Sequence, residues 1–220
     1  RPAADAGPLH LRLREPSAAL LALPWATPLA DWGPDDVVLR QLPVGPSRHL
    51  VRFARLADVT YALKEEPVDV GRREYDVLRR LEQLGLPSVR AVGIAERRED
   101  GMAILVTAYL RHSLQYRRLL ARVPLGPGGH RDRLLDAMAS LLVDLHRAGV
   151  YWGDCSLANT LLRRDGDKVQ AYLVDAETSE VHPGLSDGQR AYDLEVLVEN
   201  VAFGLADLAA LQRRPDEMDA

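Results

Sequence analysis

Cysteine is almost missing from this chain: among 220 residues only Cys155 carries a thiol. An internal disulfide is therefore excluded, the fold must rest on a packed core, and a reducing cytoplasm is the expected setting. Lysine is nearly as scarce. Of 28 basic residues only Lys64 and Lys168 are lysines, the rest arginines, the bias expected of a GC-rich genome. A lysine kept inside an apolar strand of such a chain points to a need for a compact ammonium. Long apolar runs are absent: 47% of residues are hydrophobic, yet no stretch approaches the roughly 18 to 20 residues of a membrane span. An excess of positive charge is absent too, and a net charge of −4 argues against a general nucleic-acid binder. No basic start followed by a short apolar region and a cleavage site is visible. The first residue is Arg1, not Met, so nothing about a leader follows from the start.

What is present divides into three expected regions. Residues 1–33, rich in Ala, Pro and Leu, read as an extension packed on the first lobe, with a short helix over Glu15–Leu23 ended by Pro24 and Pro28. Residues 34–108 alternate in β fashion: strands are predicted at 36–42, 50–55, 59–64, 89–95 and 102–108, with one helix over 70–84 stopped by Gly85. Residues 109–220 read as mainly helical. A helix is predicted over 113–121, a loop at 124–129, and a helix over 131–148 from apolar residues recurring at Leu134, Leu135, Met138, Leu141, Leu142 and Leu145. A hairpin follows, then a long, largely apolar and hence buried helix over 192–211, and a solvated tail from 213.

The chemistry concentrates in Gly149-Val-Tyr-Trp-Gly-Asp-Cys-Ser-Leu-Ala-Asn-Thr-Leu-Leu162. A carboxylate, Asp154, and an amide, Asn159, stand five residues apart in a loop between a helix and a hairpin; a further carboxylate, Asp175, closes the hairpin after an apolar strand. Phosphoryl transfer needs one group to orient an acceptor hydroxyl and at least two oxygen ligands to hold Mg²⁺ against nucleotide phosphates. Asp154 suits the first task, and Asn159 with Asp175 the second. Each residue alone also fits ordinary turn chemistry; their order gives them weight. Upstream, Lys64 closes a strand and Glu74 lies ten residues on in the predicted helix. The turn Pro43-Val-Gly-Pro-Ser-Arg-His49 holds a single glycine, Gly45, so side-chain donors from Ser47, Arg48 or His49 are the expected supplement to backbone amides there. His146 and Cys155 are expected to be structural.

Lys64, Glu74, Asp154, Asn159, Asp175 and Asp193, taken in order, resemble the protein-kinase-like superfamily. Trp152-Gly-Asp154 looks closest to the His-Gly-Asp type of lipopolysaccharide kinases and aminoglycoside phosphotransferases. Tyr151–Asn159, Ser47–Phe53 and Gly188–Asp193 are similar to an actinobacterial kinase-like domain family of unassigned substrate. The resemblance implies an α+β, bilobal protein-kinase-like fold, with a five-stranded antiparallel N-lobe plus one helix and a minimal, mainly helical C-lobe. It implies ATP and Mg²⁺ as cofactors and a hydroxyl-bearing acceptor as partner. Lys64, fixed by Glu74, would sit on the α- and β-phosphates; backbone at Ala108, Tyr109 and Leu110 would bind adenine between the lobes; Ala62 and Leu161 would sandwich the ring; Asp193 would hold the catalytic-loop backbone.

The departures from that pattern are informative. Gly153 stands where an arginine would read a phosphorylated activation loop, Ala-Pro-Glu is absent, and Asp175-Ala-Glu177 replaces Asp-Phe-Gly. The short stretch from Asp175 to Gln189 leaves little platform for a peptide, so a small molecule, glycan or lipid is the expected acceptor. Two competitors remain at this stage: a nucleotide-binding pseudokinase, favoured by the poor glycine loop, and transfer of AMP onto a protein, opposed by Asp154.

Overall fold

The computed structural model describes residues 8–42, 47–116, 130–166 and 168–212. The segment 43–46 with Gly45, most of the helix predicted over 113–121, the loop at 124–129 and the tail from 213 lie outside the described residues. Two compact units emerge: Arg1–Arg79 with Val89–Leu110, and Arg80–Ser88 with Arg111–Ala220.

The first unit is a sheet of six strands: β1 (Leu9–Leu13), β2 (Val38–Arg40), β3 (Leu50–Leu56), β4 (Val59–Pro67), β5 (Ala91–Arg97) and β6 (Met102–Ala108). They run in the order β1-β5-β6-β4-β3-β2, and every pairing is antiparallel. The five strands expected from the alternation are present. The sixth, β1, comes from the extension: Leu9, Leu11 and Leu13 alternate with His10 and Arg12, and β1 pairs with β5 from Leu9↔Arg97 to Leu13↔Gly93. A one-turn helix, α1 (Ala18–Leu21), is capped by Ser17, whose Oγ accepts from Leu20 N.

Residues directly opposite in an antiparallel ladder point to the same face, so the register sorts this sheet into two surfaces. Ala54, Leu63, Ile104 and Val106 face the extension, whose Leu20, Trp25, Leu29 and Trp32 are buried against them in one apolar cluster. Trp25 and Trp32 meet edge to face with centroids 5.5 Å apart. The opposite surface carries Val51, Phe53, Ala62, Lys64 and Glu66. There lies α2 (Val68–Gln83), whose buried stripe runs Gly71, Glu74, Tyr75, Leu78, Leu81 at helical spacing. Glu74 thus occupies a core-facing position that composition alone would assign to an apolar residue.

The second unit is built on α3 (His130–Arg147), with Leu134, Met138, Leu141 and Leu145 buried. It packs on β10 (Lys168–Leu173), which pairs with β9 (Thr160–Asp165) as the expected hairpin. Where a helix was predicted, Ser113–Gln115 forms a strand, β7, whose pairing with β9 completes a three-stranded sheet. The tertiary ladder overrides local preference there. Two short strands, β8 (Val150–Tyr151) and β11 (Glu180–Val181), pair with each other. The last helix, α4 (Asp187–Gln212), begins five residues earlier than predicted and is not buried as expected: Leu194 is 54%, Val198 60% and Phe203 70% exposed. No helix among the described residues is long and apolar enough to cross a membrane.

Candidate active site

In the first unit, alternation along β4 places Ala62, Lys64 and Glu66 on one face, and the helical period of α2 aims Glu74 at the same surface. Lys64 Nζ donates to Glu74 Oε2 at 2.8 Å, both side chains being buried. It also lies 3.0 Å from Glu66 Oε2. A lysine taken from water keeps its charge only beside such partners. Ala62 is half-buried and opposes Phe53 on one side and Thr107 on the other. The chain leaves β6 through Ala108, whose N–H donates to Arg90 O; Tyr109 N–H donates to Thr60 O, and its ring meets Phe53 edge-on at 5.6 Å. Leu110 is the last residue of this unit. Arg48 is exposed beside a tight turn in which Ser47 Oγ accepts from His49 N and donates to His49 O.

In the second unit, the loop between β8 and β9 is held from beneath by Asp193 on α4, which is fully buried. Its two oxygens accept from Trp152 N at 2.9 Å and Gly153 N at 2.8 Å, and Oδ2 also meets His146 Nε2 at 2.9 Å. Thr178 Oγ1 and Ser179 Oγ both donate to Trp152 O. Gly153 has φ +80°, and a Cβ there would fall 2.8 Å from Thr178 O, so only glycine fits this crossing. Trp152, Cys155 and Leu157 anchor the loop in the core. Burial, with the charge of Asp193 next in weight, pushes the Cys155 thiol far above its ordinary value, so this is an inert packing group.

Between these anchors Asp154 and Asn159 stay half-exposed. Ser156 N donates to Asp154 O, and Ser156 Oγ accepts from Asn159 N, folding the loop into a tight bend. The bend brings Asn159 Nδ2 2.9 Å from Asp154 Oδ2. With its amide nitrogen so engaged, Asn159 keeps Oδ1 as an oxygen donor for a hard cation. Val174 N donates to Asn159 O at 3.0 Å, closing the mouth of the β9–β10 hairpin and setting Asp175 beside Asn159 in the fold. The Asp175 carboxylate accepts from Glu177 N at 3.1 Å, a local turn that fixes its direction. Leu161, half-buried, opposes Tyr172 on the same hairpin. One amide oxygen and one carboxylate at the same hairpin end form a donor set of the kind Mg²⁺ takes, completed by phosphates and water.

The family described as Lipopolysaccharide kinase (Kdo/WaaP) matches residues 54–214. The chain belongs to this family. A curated relative, the lipopolysaccharide core heptose(I) kinase WaaP of Pseudomonas aeruginosa, is 27% identical over 158 residues, covering 67% of this chain. The chain spans 57% of that relative's length. A solved structure titled "WaaP in complex with acyl carrier protein" superposes with a TM-score of 0.61 at 20% identity, covering 93% of this chain and 92% of that one. That likeness shows the kinase-like α+β fold.

Sequence reasoning named Asp193 but missed Thr178 and Ser179, the hydroxyls that fix the loop's other carbonyl, and it missed Glu66. Serine and threonine after an Asp give no distinctive signal. Glu66 did give one: it stands two residues from Lys64 on a strand, hence on the same face.

Proposed function

We propose that this Kdo/WaaP-family chain transfers the γ-phosphoryl group of ATP, with Mg²⁺, to a hydroxyl of a sugar- or lipid-type acceptor in a reducing cytoplasm. The observation that carries this reading is the Asn159 amide bonded to the Asp154 carboxylate at 2.9 Å. It fixes the direction of both side chains on a loop whose backbone Asp193 immobilises. Lys64, steadied by Glu74, meets the α- and β-phosphates. Backbone of Ala108 to Leu110 takes the adenine edge, Ala62 and Leu161 its faces, and Arg48 the outer phosphates. Asn159 and Asp175 hold Mg²⁺, which supplies neutralisation of phosphate charge. Asp154 accepts the acceptor's proton as its oxygen attacks the γ-phosphorus, and the bond to the β-phosphate oxygen breaks to release ADP. Most of the acceleration then comes from positioning and fixed charge. The name of the curated relative, a heptose kinase, supports a sugar hydroxyl over a peptide, as does the short segment after Asp175.

A nucleotide-binding module without turnover is the second reading, favoured by the single glycine of Pro43–His49. One experiment addresses the shared step. Thermal unfolding of the wild type with ATP should rise further on adding Mg²⁺, because a ligand bound only by the folded state stabilises it. Lys64→Ala and Asp175→Ala should each lose that extra rise. An unchanged rise in both variants contradicts the site.

A further inference from the structure

Lys64 has two carboxyl partners, and the kinase reading uses one. Glu66 is fully buried, and its Oε2 is 3.0 Å from Lys64 Nζ, against 2.8 Å for Glu74 Oε2. It reaches that position because β4 alternation gives it the face of Lys64, and because α2 lies close above it at Gly71. A Cβ on Gly71 would fall 3.4 Å from Glu66 Oε1 and 3.3 Å from Ala103 Cβ. A glycine as the fourth residue of α2 is what lets helix, Glu66 and β6 close together.

A buried carboxyl this near a functional lysine is costly unless it does something. We propose that Glu66 is a second positioning residue for Lys64, its carboxyl oxygen fixing the ammonium jointly with Glu74. This rests on Lys64 being the phosphate-binding lysine. Burial raises the pKa of Glu66 above the ordinary value, and the charge and hydrogen bond of Lys64 only partly offset that. Lys64 is thus held in place by two groups, one on its own strand and one on α2.

The test exploits the scarcity of lysine. In protein labelled with ¹⁵N at lysine Nζ, the chain has only two signals, those of Lys64 and the exposed Lys168. Glu66→Met removes the oxygen but keeps the length and apolar stem; Glu66→Gln keeps a neutral acceptor oxygen. Glu66→Met should shift the Lys64 signal and leave that of Lys168, and should weaken Mg²⁺–ATP affinity about tenfold, the worth of one hydrogen bond to a charged group. Glu66→Gln should stay within about twofold of wild type, and Glu66→Met combined with Glu74→Gln should fall to the level of Lys64→Ala. A Glu66→Met protein that melts like wild type, leaves the Lys64 signal in place and binds nucleotide normally overturns the proposal. So does a moved Lys64 signal with unchanged affinity, which makes Glu66 a packing group. An equal loss in Glu66→Met and Glu66→Gln overturns the role of the carboxyl oxygen as an acceptor. If Lys64→Ala itself binds Mg²⁺–ATP like wild type, the kinase reading of Lys64 fails first and this proposal with it.

Discussion

The two halves of the chain hold their candidate residues by opposite means. In the first unit, charge lies inside the core: an ammonium between two buried carboxyl groups on a strand and a helix. In the second, backbone is held: one buried carboxylate binds two consecutive peptide N–H groups and a histidine, and two hydroxyls bind the intervening carbonyl. Loss of one member of a charge cluster leaves the others buried and uncompensated, but replacing the whole cluster with apolar groups is often neutral for folding. A backbone anchor has no such neutral replacement, because deleting the acceptor strands buried donors. Removal of the first half's whole cluster should therefore read out in ligand binding, and damage to the second half in stability and turnover together.

The sharpest way to break that contrast is Asp193→Ala. Two buried peptide N–H groups and His146 lose their acceptor, at a cost of about 3 kcal/mol or more, and turnover should fall at least as far as for loss of Asp154 itself. Chemical denaturation beside the joint variant Lys64→Met, Glu66→Leu and Glu74→Leu checks it: with the whole cluster replaced by apolar groups, that variant should unfold near the wild-type midpoint while losing nucleotide. Equal destabilisation in the two variants removes the contrast.

Asp154→Asn separates chemistry from architecture within the second half. The substitution keeps the shape facing Asn159 and removes the base, so Mg²⁺–ATP binding should persist while turnover falls by roughly 10² to 10⁴. With a confirmed acceptor, turnover equal to wild type would return Asp154 to a structural role and favour the non-catalytic reading. Because Gly153 stands where an arginine would receive a phosphate, phosphatase treatment should leave the wild-type rate unchanged.

How much of this the sequence disclosed follows the same division. The pairing of Lys64 with Glu74 and the hold of Asp193 on the loop backbone were legible because these residues lie at spacings that a strand, a helix or a loop converts into a direction. The sixth strand was legible in principle, since Leu9, Leu11 and Leu13 alternate, but the Ala- and Pro-rich context masked the period. The exposure of Leu194, Val198 and Phe203 on α4 was not legible: apolar composition without a periodic polar face does not tell which side meets a neighbour. Nor was β7, whose Ser113–Gln115 becomes a strand only through β9.

The extension supplies a control outside both halves. Leu29 is fully buried behind the sheet, and its N–H donates to Glu65 Oε1. Leu29→Ala should cost about 2 to 4 kcal/mol by cavity formation, with nucleotide affinity unchanged in the folded protein. Should affinity fall while the variant remains folded, the back of the sheet communicates with Lys64 and the first half is less local than its ion pairs suggest.

The smallest expected effect concerns Glu96, on the sheet face that also carries Lys64. Burial works to raise its pKa, but the hydrogen bond and charge of Arg72, followed by the charge of Arg12, hold it below the ordinary 4.5. The sign follows from linkage: the folded state stays ionised at a pH where the unfolded chain already takes up protons, so the unfolded state binds more protons in that window. The stabilisation is complete above about pH 5, begins to fade near the ordinary value, and is lost once pH drops through the folded one. Glu96→Gln should therefore lower Tm by about a few degrees at pH 7, with the gap closing as pH falls below 4. Arg72 is half-exposed, so added salt should also narrow the gap by screening. A gap that is constant from pH 3 to 7 would mean that Glu96 contributes through packing beneath β1 and not through charge. In that case the ion pairs on this sheet face, unlike the buried Lys64 cluster, are incidental to how the first unit is held.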